Sequence, residues 1–261
     1  MNTSKLNELY DLYKINTLCY GKNYDKLGDV YEDYCKYLLS SKDLLYKAQA
    51  AHIATEEDIE YRLFISMMNS HDVFDFSGIN KIMVDEPVPN RNSHGKPKTD
   101  LIANIIYANG NNDKWPISCK QSQNTKVAIA EFSVDTICSE IGITNFRLKE
   151  LLTKFQVTAS ALTFTKSEKQ ELRDLMKPIL RIFDRWALTG SINEEPTDLR
   201  VPTTIVRFQL NKIHEFQSCS VYTIENYIDK LINGAKRGGG FGTGLSWTYA
   251  TGSKGHKIQF K

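Results

Sequence analysis

The sequence predicts an α/β fold in which a mixed central β-sheet is flanked by helices. Apolar residues recur at helical spacing through the first third of the chain, and the later segments alternate between strand-like and helical patterns. No Pro/Ser-rich linker or internal repeat interrupts the 261 residues, so we expect a single domain over 1–261. Its parts are a mainly helical N-terminal part (1–75), a hairpin with the helix that follows it (76–140), and a C-terminal part (200–261).

The N-terminal part is predicted to be helical because its apolar residues lie three or four positions apart. The longest such pattern runs from Lys26 to Tyr46. Thr55, with Asp58 three residues later, resembles a capping box and predicts a helix that extends through Met67.

Strand character begins at Asn80 and is strongest in two runs that a turn separates. The first run, DLIANIIYA, starts at Asp100, and the second spans 114–120 after the turn NGNND. The segment 129–140 mixes strand and helix periods, and we predict a helix there.

Beyond residue 140 the patterns predict three helices and four strands. Thr165 and Glu168 form a capping box for the longest helix, which Pro178 should kink. A glycine-rich loop precedes the last two strands. The predicted helices are 144–155, 165–190 and 224–233, and the predicted strands are 203–210, 215–222, 246–251 and 256–261.

Composition argues against several classes of protein. No run approaches the roughly 20 apolar residues that a membrane-spanning helix needs, and the polar first residues lack the apolar stretch of a secretory signal. The five cysteines form no CxxC pair. This usage argues against a zinc site or a disulfide framework and favours a reducing cytoplasm.

Charge is nearly balanced overall, at +2, but it is not balanced along the chain. No acidic residue follows Asp229, whereas Lys230, Lys236, Arg237 and three later lysines do. A basic face on a nearly neutral protein is typical of proteins that bind a phosphate backbone. A solvated basic tail is the alternative, although the aromatic residues of this segment indicate that it folds.

The hairpin carries groups that suit phosphodiester hydrolysis: a carboxylate (Asp100) to hold a divalent cation and an amine (Lys120) to offset the developing charge. If the turn is centred on Gly110, Asp100 lies opposite Lys120 on one face. If Asn109 and Gly110 form a two-residue loop, Asp100 faces Cys119 instead. The Asn and Asp residues after Gly110 favour the first register. Taken alone, however, the spacing is better explained by a solvent-facing ion pair across a hairpin.

The segment PKTDLIANIIYANGNNDKWPISCK, at 97–120, resembles the PD-(D/E)xK nuclease motif, and specifically its form in the MspI-type restriction endonucleases. In that family PKTD is followed by 17 residues and then Asn-x-Lys. Here 17 residues separate Asp100 from Ser118. The segments LGDVYEDY, VAIAEFSVDTIC and GFGTGLSWTYATGSKGHKIQFK also look like family segments, so the resemblance covers nearly the whole chain.

This resemblance implies a restriction-endonuclease-like core and a type II enzyme that cuts double-stranded DNA at a short palindrome, CCGG in that family, with Mg²⁺. Asp100 and Ser118 would be metal ligands, and Lys120 would orient or activate the water. Ser118 departs from the family's Asn, and its single neutral oxygen holds a cation more weakly. The number of metal ions therefore stays open. Glu32 matches a helical Glu of related enzymes. It would then supply a second carboxylate to the metal site or bind a metal-bound water. The alternative is an exposed helix residue beside Asp33.

The resemblance also implies which residues contact DNA. Gln259 and Lys261 alternate with Phe260, so a strand would project both to one face, where Lys pairs well with guanine. A frayed terminus is the alternative. Ala128 stands where the family has Ser, so the recognised site could differ, and the glycine run 238–244 could bring N–H groups to phosphates. The expected DNA contacts are Gln121, Ser122, Lys126, Lys236, Arg237, Thr248, Ala250, Thr251, Ser253, Gln259 and Lys261.

Double-stranded DNA is the expected partner, and the chain is expected to act as a monomer or weak dimer in the cytoplasm. A cognate DNA methyltransferase would share its recognition site without having to bind it. Two other functions stay open. One is a sequence-specific DNA-binding protein of the same fold in which Ser118 marks weakened catalysis, and the other is a nuclease with a different role, such as repair.

Overall fold

The chain divides into two compact units, each with a β-sheet of its own. Unit 1 comprises Met1–Thr125 and Pro196–Thr223, and unit 2 comprises Lys126–Glu195 and Ile224–Lys261. The predicted α/β class with a mixed sheet is confirmed. The computed structural model describes residues 3–15, 24–90, 97–124, 126–193, 197–235 and 240–261.

The larger sheet belongs to unit 1 and is mixed. Its strands follow the order β1-β2-β3-β5-β6, and every neighbouring pair is antiparallel except β3 and β5, which are parallel. The elements of unit 1 are α1 (Ser4–Leu12), α2 (Tyr24–Ser40), α3 (Lys42–Gln49), α4 (Ile59–Asn69), β1 (Ile79–Glu86), β2 (Leu101–Tyr107), β3 (Asn112–Ser122), β5 (Thr204–Leu210) and β6 (Phe216–Thr223).

Helix α2 packs across this sheet through an apolar face. Leu27, Val30 and Tyr34 of that face are fully buried, and the ring of Tyr31 lies 4.7 Å from that of Phe208 in β5. Each such side chain contributes roughly 1.5–3 kcal/mol by leaving water. This burial fixes the position of α2 on the sheet, and with it the direction of the polar residues beside its apolar face.

Unit 2 is built around a small sheet of order β4-β8-β7, in which both pairs are antiparallel. Aromatic rings pack on one face of it: the ring of Phe260 lies 5.1 Å from Phe183 and 5.6 Å from Trp247. The elements of unit 2 are β4 (Ala130–Phe132), α5 (Val134–Ile141), α6 (Phe146–Thr158), α7 (Lys166–Met176), α8 (Leu180–Thr189), α9 (Ile224–Ala235), β7 (Trp247–Thr248) and β8 (Ile258–Phe260).

The kinked helix of unit 2 is confirmed. Thr165 and Glu168 form the predicted capping box at the start of α7. Pro178 lies in a short 3₁₀ turn between α7 and α8, where the absence of its N–H and the bulk of its ring prevent a continuous helix. Gly190 ends α8 with a φ of 71°, a conformation that favours glycine.

Several predicted boundaries are wrong. The predicted strand 246–251 is reduced to β7, and the helical pattern over 26–46 divides into α2 and α3 at Ser41. The segment predicted as one helix over 129–140 is strand β4 followed by α5, because the hydroxyl of Ser133 accepts from the Thr136 N–H and begins the helix there. Helix α6 begins after Asn145 rather than Thr144. Helix α4 begins only at Ile59, since Thr55 uses its N–H and hydroxyl to bond the Asp58 carboxylate.

None of the helices in the described part of the chain is long and apolar enough to cross a membrane.

Candidate active site

Asp100 lies one residue before β2 and beside Ile117 and Ser118 of β3. The register of the hairpin pairs Leu101 with Ile117, and the Asp100 N–H donates to the Ile117 carbonyl at 2.9 Å. Both predicted registers, in which Asp100 faces one of the two residues after Ser118, are therefore wrong.

The turn between β2 and β3 explains the difference. The Tyr107 N–H donates to the Asn111 carbonyl at 2.9 Å, and the Gly110 N–H donates to the Tyr107 carbonyl at 3.0 Å. These bonds centre the hairpin on Asn109, one residue earlier than the register that the sequence favours. A shift of the centre by one residue moves the pairing by two, and side chains alternate with a period of two. The predicted face is therefore preserved although the predicted pairing is not.

Asp100, Ser118 and Lys120 consequently share one face of the sheet, and they are in contact. The Oδ2 atom of Asp100 accepts hydrogen bonds from Ser118 Oγ at 3.0 Å, the Cys119 N–H at 2.7 Å and Lys120 Nζ at 2.8 Å. The Lys120 ammonium also donates to the Cys119 carbonyl at 3.0 Å. The Oδ1 atom accepts no hydrogen bond from the residues that the structure describes, so it is available to a further ligand.

This pair is not the solvent-facing ion pair of the alternative interpretation. The side chains of Asp100 and Lys120 are each only 22% exposed, and Ser118 is buried. Partial burial strengthens the attraction between the two charges, because less water screens them.

Glu32 of α2 faces the same charges. Its side chain is half-buried, and the pKa of Glu32 is raised to about 7, chiefly by burial and also by the Asp100 carboxylate, with Lys120 acting in the opposite direction. The neighbouring Asp33 is instead engaged by Lys36 at 2.8 Å. Glu32 is thus not the exposed helix residue that the sequence left as one alternative.

The side-chain oxygen atoms of this site are suitable ligands for a divalent cation. Mg²⁺ prefers oxygen ligands, and Asp100 Oδ1, the Ser118 hydroxyl and the Glu32 carboxyl supply them. A cation would also relieve the repulsion between the two carboxyl groups. Within the described ranges, no group of three or more His, Cys, Asp or Glu side chains could hold a metal ion. The remaining ligands would therefore be water and phosphate oxygens, as is common for Mg²⁺.

Sequence reasoning missed Arg207 of β5. It pairs with Lys120 in the parallel register of β3 and β5, and paired residues project to the same face. Its guanidinium donates to the Asn124 carbonyl at 3.2 Å, in the segment that follows β3. Arg207 thus adds positive charge beside Lys120 and orients the chain after it. No local pattern could have indicated it, because β5 lies far from β3 in sequence.

Two expected DNA contacts follow Lys120 on β3, and they lie on different faces. Gln121 projects to the face opposite Lys120, where its Oε1 atom is buried and bonds to nothing in the described part of the chain. Ser122 shares the face of Lys120, and its hydroxyl accepts from the Asn124 N–H at 3.0 Å.

The remaining expected contacts that the structure describes belong to unit 2. Thr248 of β7 pairs with Gln259 of β8. Lys261 exchanges two backbone hydrogen bonds with Ser246, at 2.7 and 2.9 Å, so the last residue is paired rather than frayed. Phe260 is fully buried, so Gln259 and Lys261 project to the opposite face, as the alternation predicts.

The turn between β7 and β8 carries three further residues of this set. The Ser253 hydroxyl donates to the Ala250 carbonyl at 3.1 Å, and Thr251 is exposed. Lys126, also exposed, hydrogen-bonds the Ser246 hydroxyl. Lys236 and Arg237 lie outside the described residues.

One glycine of the run 238–244 has a structural explanation. A Cβ on Gly244 would lie 2.1 Å from the Leu231 carbonyl oxygen of α9, and its φ is 74°. Glycine is therefore required there by close packing within the protein. Gly238 and Gly239 lie outside the described residues.

Comparisons with known proteins identify the family of this chain. A family model described as restriction endonuclease MspI matches residues 13–261. The chain is 34% identical over 267 residues to the type II restriction enzyme MspI of Moraxella sp, with 100% of both chains covered. It is 24% identical over 204 residues to the type II restriction enzyme BsuFI of Bacillus subtilis, which covers 77% of this chain and 49% of that one.

A crystal structure of the restriction endonuclease MspI in complex with its cognate DNA matches the fold with a TM-score of 0.89 and 32% identity, and covers 100% of this chain and 99% of that one. Fold and site therefore define a type II restriction endonuclease. The chain belongs to the MspI restriction endonuclease family, as the resemblance of its motifs predicted.

Proposed function

We propose that this enzyme hydrolyses phosphodiester bonds of double-stranded DNA at a short palindrome, CCGG or a close variant, with Mg²⁺ as cofactor. The observation that supports it most directly is the hydrogen bonding of Asp100. Its Oδ2 atom gathers three donors, which orients the carboxylate and leaves Oδ1 to a cation.

The roles follow from chemistry and position. When bound, Mg²⁺ would polarise the phosphate and lower the pKa of an attacking water. Asp100 and Ser118 would hold the ion, and Glu32 would contribute its carboxylate directly or through water. Lys120, 2.8 Å from Asp100, places its ammonium where it orients the water and stabilises the charge that develops on the phosphate.

We infer that unit 2 supplies most of the sequence recognition. Thr248, Gln259 and Lys261 project from one face of its small sheet, and the turn residues Ala250, Thr251 and Ser253 extend the same set. Polar groups of both donor and acceptor type are what the major groove of a palindrome requires. Ala128 is exposed and lacks the hydroxyl that the family has there, so the recognised site could be a close variant of CCGG if that hydroxyl contacts a base. The further expected contacts are Gln121, Ser122, Lys126, Lys236 and Arg237.

The same function implies a monomer or weak dimer that works in the cytoplasm. A DNA methyltransferase would protect host DNA by modifying the same sequence, without having to bind this protein.

Digestion of a sequenced phage genome with Mg²⁺, followed by mapping of the fragment ends, tests the proposal. We expect discrete fragments that all end at one short palindrome, and Asp100→Ala and Lys120→Ala should abolish cleavage while retaining binding to that palindrome. Ends at random positions would indicate a nuclease with another role, such as repair. Specific binding without cleavage would indicate a DNA-binding protein with weakened catalysis.

A further inference from the structure

Glu131 lies in the row of side chains that we propose reads DNA. Strand β4 pairs with β8 so that Glu131 is opposite Gln259, and β7 pairs with β8 so that Gln259 is also opposite Thr248. Side chains of directly paired residues lie on the same face. The three therefore form one polar row across the small sheet, while Phe260 in the adjacent row is buried on the other face.

No residue in the described part of the chain engages the Glu131 carboxylate. It is half-buried, yet it makes no hydrogen bond or ion pair within the part of the chain that the structure describes. Two other acids of unit 2 are engaged: Glu168 accepts from Lys154 at 2.7 Å, and Asp135 pairs with Lys149 at 2.8 Å. Because no described residue engages this carboxylate, its oxygens are open to hydrogen-bond donors of a ligand that meets this face of the sheet.

A carboxylate on a DNA-binding face has few favourable partners. Phosphate oxygens repel it, and the base edges of the major groove offer it hydrogen-bond donors at cytosine N4 and adenine N6. In a site made of G·C pairs the donor is cytosine N4. Lys261, two residues beyond Gln259 on the same strand, suits the guanine acceptors of such a site.

We propose that Glu131 accepts a hydrogen bond from the N4 amino group of a cytosine in the recognised sequence and thereby helps to determine specificity. This inference rests on the proposed function, because it requires DNA on the outer face of the small sheet.

The test is a cycle that removes either partner of this hydrogen bond. Each cytosine of the cleaved palindrome is replaced in turn by 2-pyrimidinone, which lacks the amino group, and binding is measured without metal. The proteins are wild type, Glu131→Ala and Glu140→Ala, the last of which removes an exposed acid of α5. Cleavage of the unmodified duplex by the wild-type enzyme with Mg²⁺ is confirmed first, so that failure of the proposed function is recognised separately.

We expect one cytosine at which the analogue weakens wild-type and Glu140→Ala binding by about 5- to 50-fold, and Glu131→Ala binding by no more than about 2-fold. The proposal is overturned if the analogue costs Glu131→Ala as much as wild type at every cytosine. It is also overturned if Glu131→Ala only binds all DNA more tightly, as loss of a repelling charge would cause. Glu131→Met, which preserves the length of the side chain but has no oxygen that could accept from the amino group, replaces Glu131→Ala if the alanine variant melts at a lower temperature than wild type.

Discussion

The two units hold their proposed functional residues in different ways. In unit 1, Asp100 directly precedes the long strand β2 and Lys120 lies on the long strand β3, and the β2–β3 ladder runs without interruption from the Leu101–Ile117 pair to the Ile106–Asn112 pair. In unit 2, the polar row that contains Gln259 lies on strands of two and three residues. Short strands have few backbone hydrogen bonds, so the aromatic cluster behind them supplies most of the support.

This difference matches the two tasks. Catalysis requires an acid and an amine at one precise separation, which a long ladder provides. Base reading is spread over several side chains, each of which contributes a separate contact of modest energy. We therefore expect single substitutions in unit 1 to abolish activity and single substitutions in unit 2 to reduce it by steps.

The largest effect is expected from Lys120→Met, which keeps the length of the side chain and removes its charge. The rate of DNA cleavage should fall by at least about 10²- to 10³-fold, because the developing phosphate charge loses its stabilising partner. Single-turnover cleavage at saturating enzyme measures this loss, and a gel-shift assay should show unchanged binding. Lys81→Met, at an exposed position of β1 in the same unit, is the matched control. A comparable loss in both variants would contradict the assignment.

Asp184 should make the stability of unit 2, rather than unit 1, depend on pH. Burial raises the pKa of this α8 carboxyl to about 8, and neither of its oxygens has a hydrogen-bond partner among the described residues. Between the unfolded pKa of about 4 and the folded pKa of about 8, the folded state retains a proton that the unfolded state has lost. The free energy of unfolding therefore falls as the pH rises through this window.

Asp184→Asn removes that loss of stability. We expect the variant to be more stable than wild type by roughly 2–4 kcal/mol at pH 9 and nearly equal to it below pH 4, because only an ionised buried carboxylate is strongly penalised. Urea unfolding measures the difference, and hydrogen exchange should assign it to amides of unit 2. Asp174→Asn, at an exposed site of α7, should change little. A gain that does not vary with pH would disprove the explanation.

Lys261→Ala should weaken binding to the recognised sequence by about 1–3 kcal/mol and leave binding to random DNA nearly unchanged, because the lysine is expected to contact a base. Competition binding at a fixed salt concentration separates the two affinities. Equal losses on both DNAs would make Lys261 a phosphate contact instead.

The smallest effect is expected at Ser118. Ser118→Ala removes a neutral ligand and a hydrogen bond to Asp100 worth about 1 kcal/mol, so the Mg²⁺ concentration for half-maximal cleavage should rise by about 3- to 10-fold. The rate at saturating Mg²⁺ should change less. Ser118→Thr retains the hydroxyl and should restore the wild-type Mg²⁺ dependence. An unchanged Mg²⁺ requirement in Ser118→Ala would remove Ser118 from the metal site.

Elements that depend on neighbouring residues could be predicted from the sequence. The capping box of Thr165 and Glu168 and the kink at Pro178 follow from hydrogen bonds and ring sterics within one or two helical turns. Strand β4 could not be predicted, because three residues are too short a segment to show a periodic pattern. It forms by pairing with β8, which lies at the C-terminal end of the chain.

The sequence by itself determined the chemical groups of the candidate site and favoured, of two possible registers, the one that places them on one face. Asp100, Ser118 and Lys120 remain on one face in any register that differs by an even number of residues, because strand side chains alternate. Tertiary structure alone decided the exact register, the half-burial of Glu32, and the positions of Arg207 beside Lys120 and Glu131 beside Gln259. Those arrangements depend on segments distant in sequence, whose pairing is selected by burial of the whole core rather than by any local pattern.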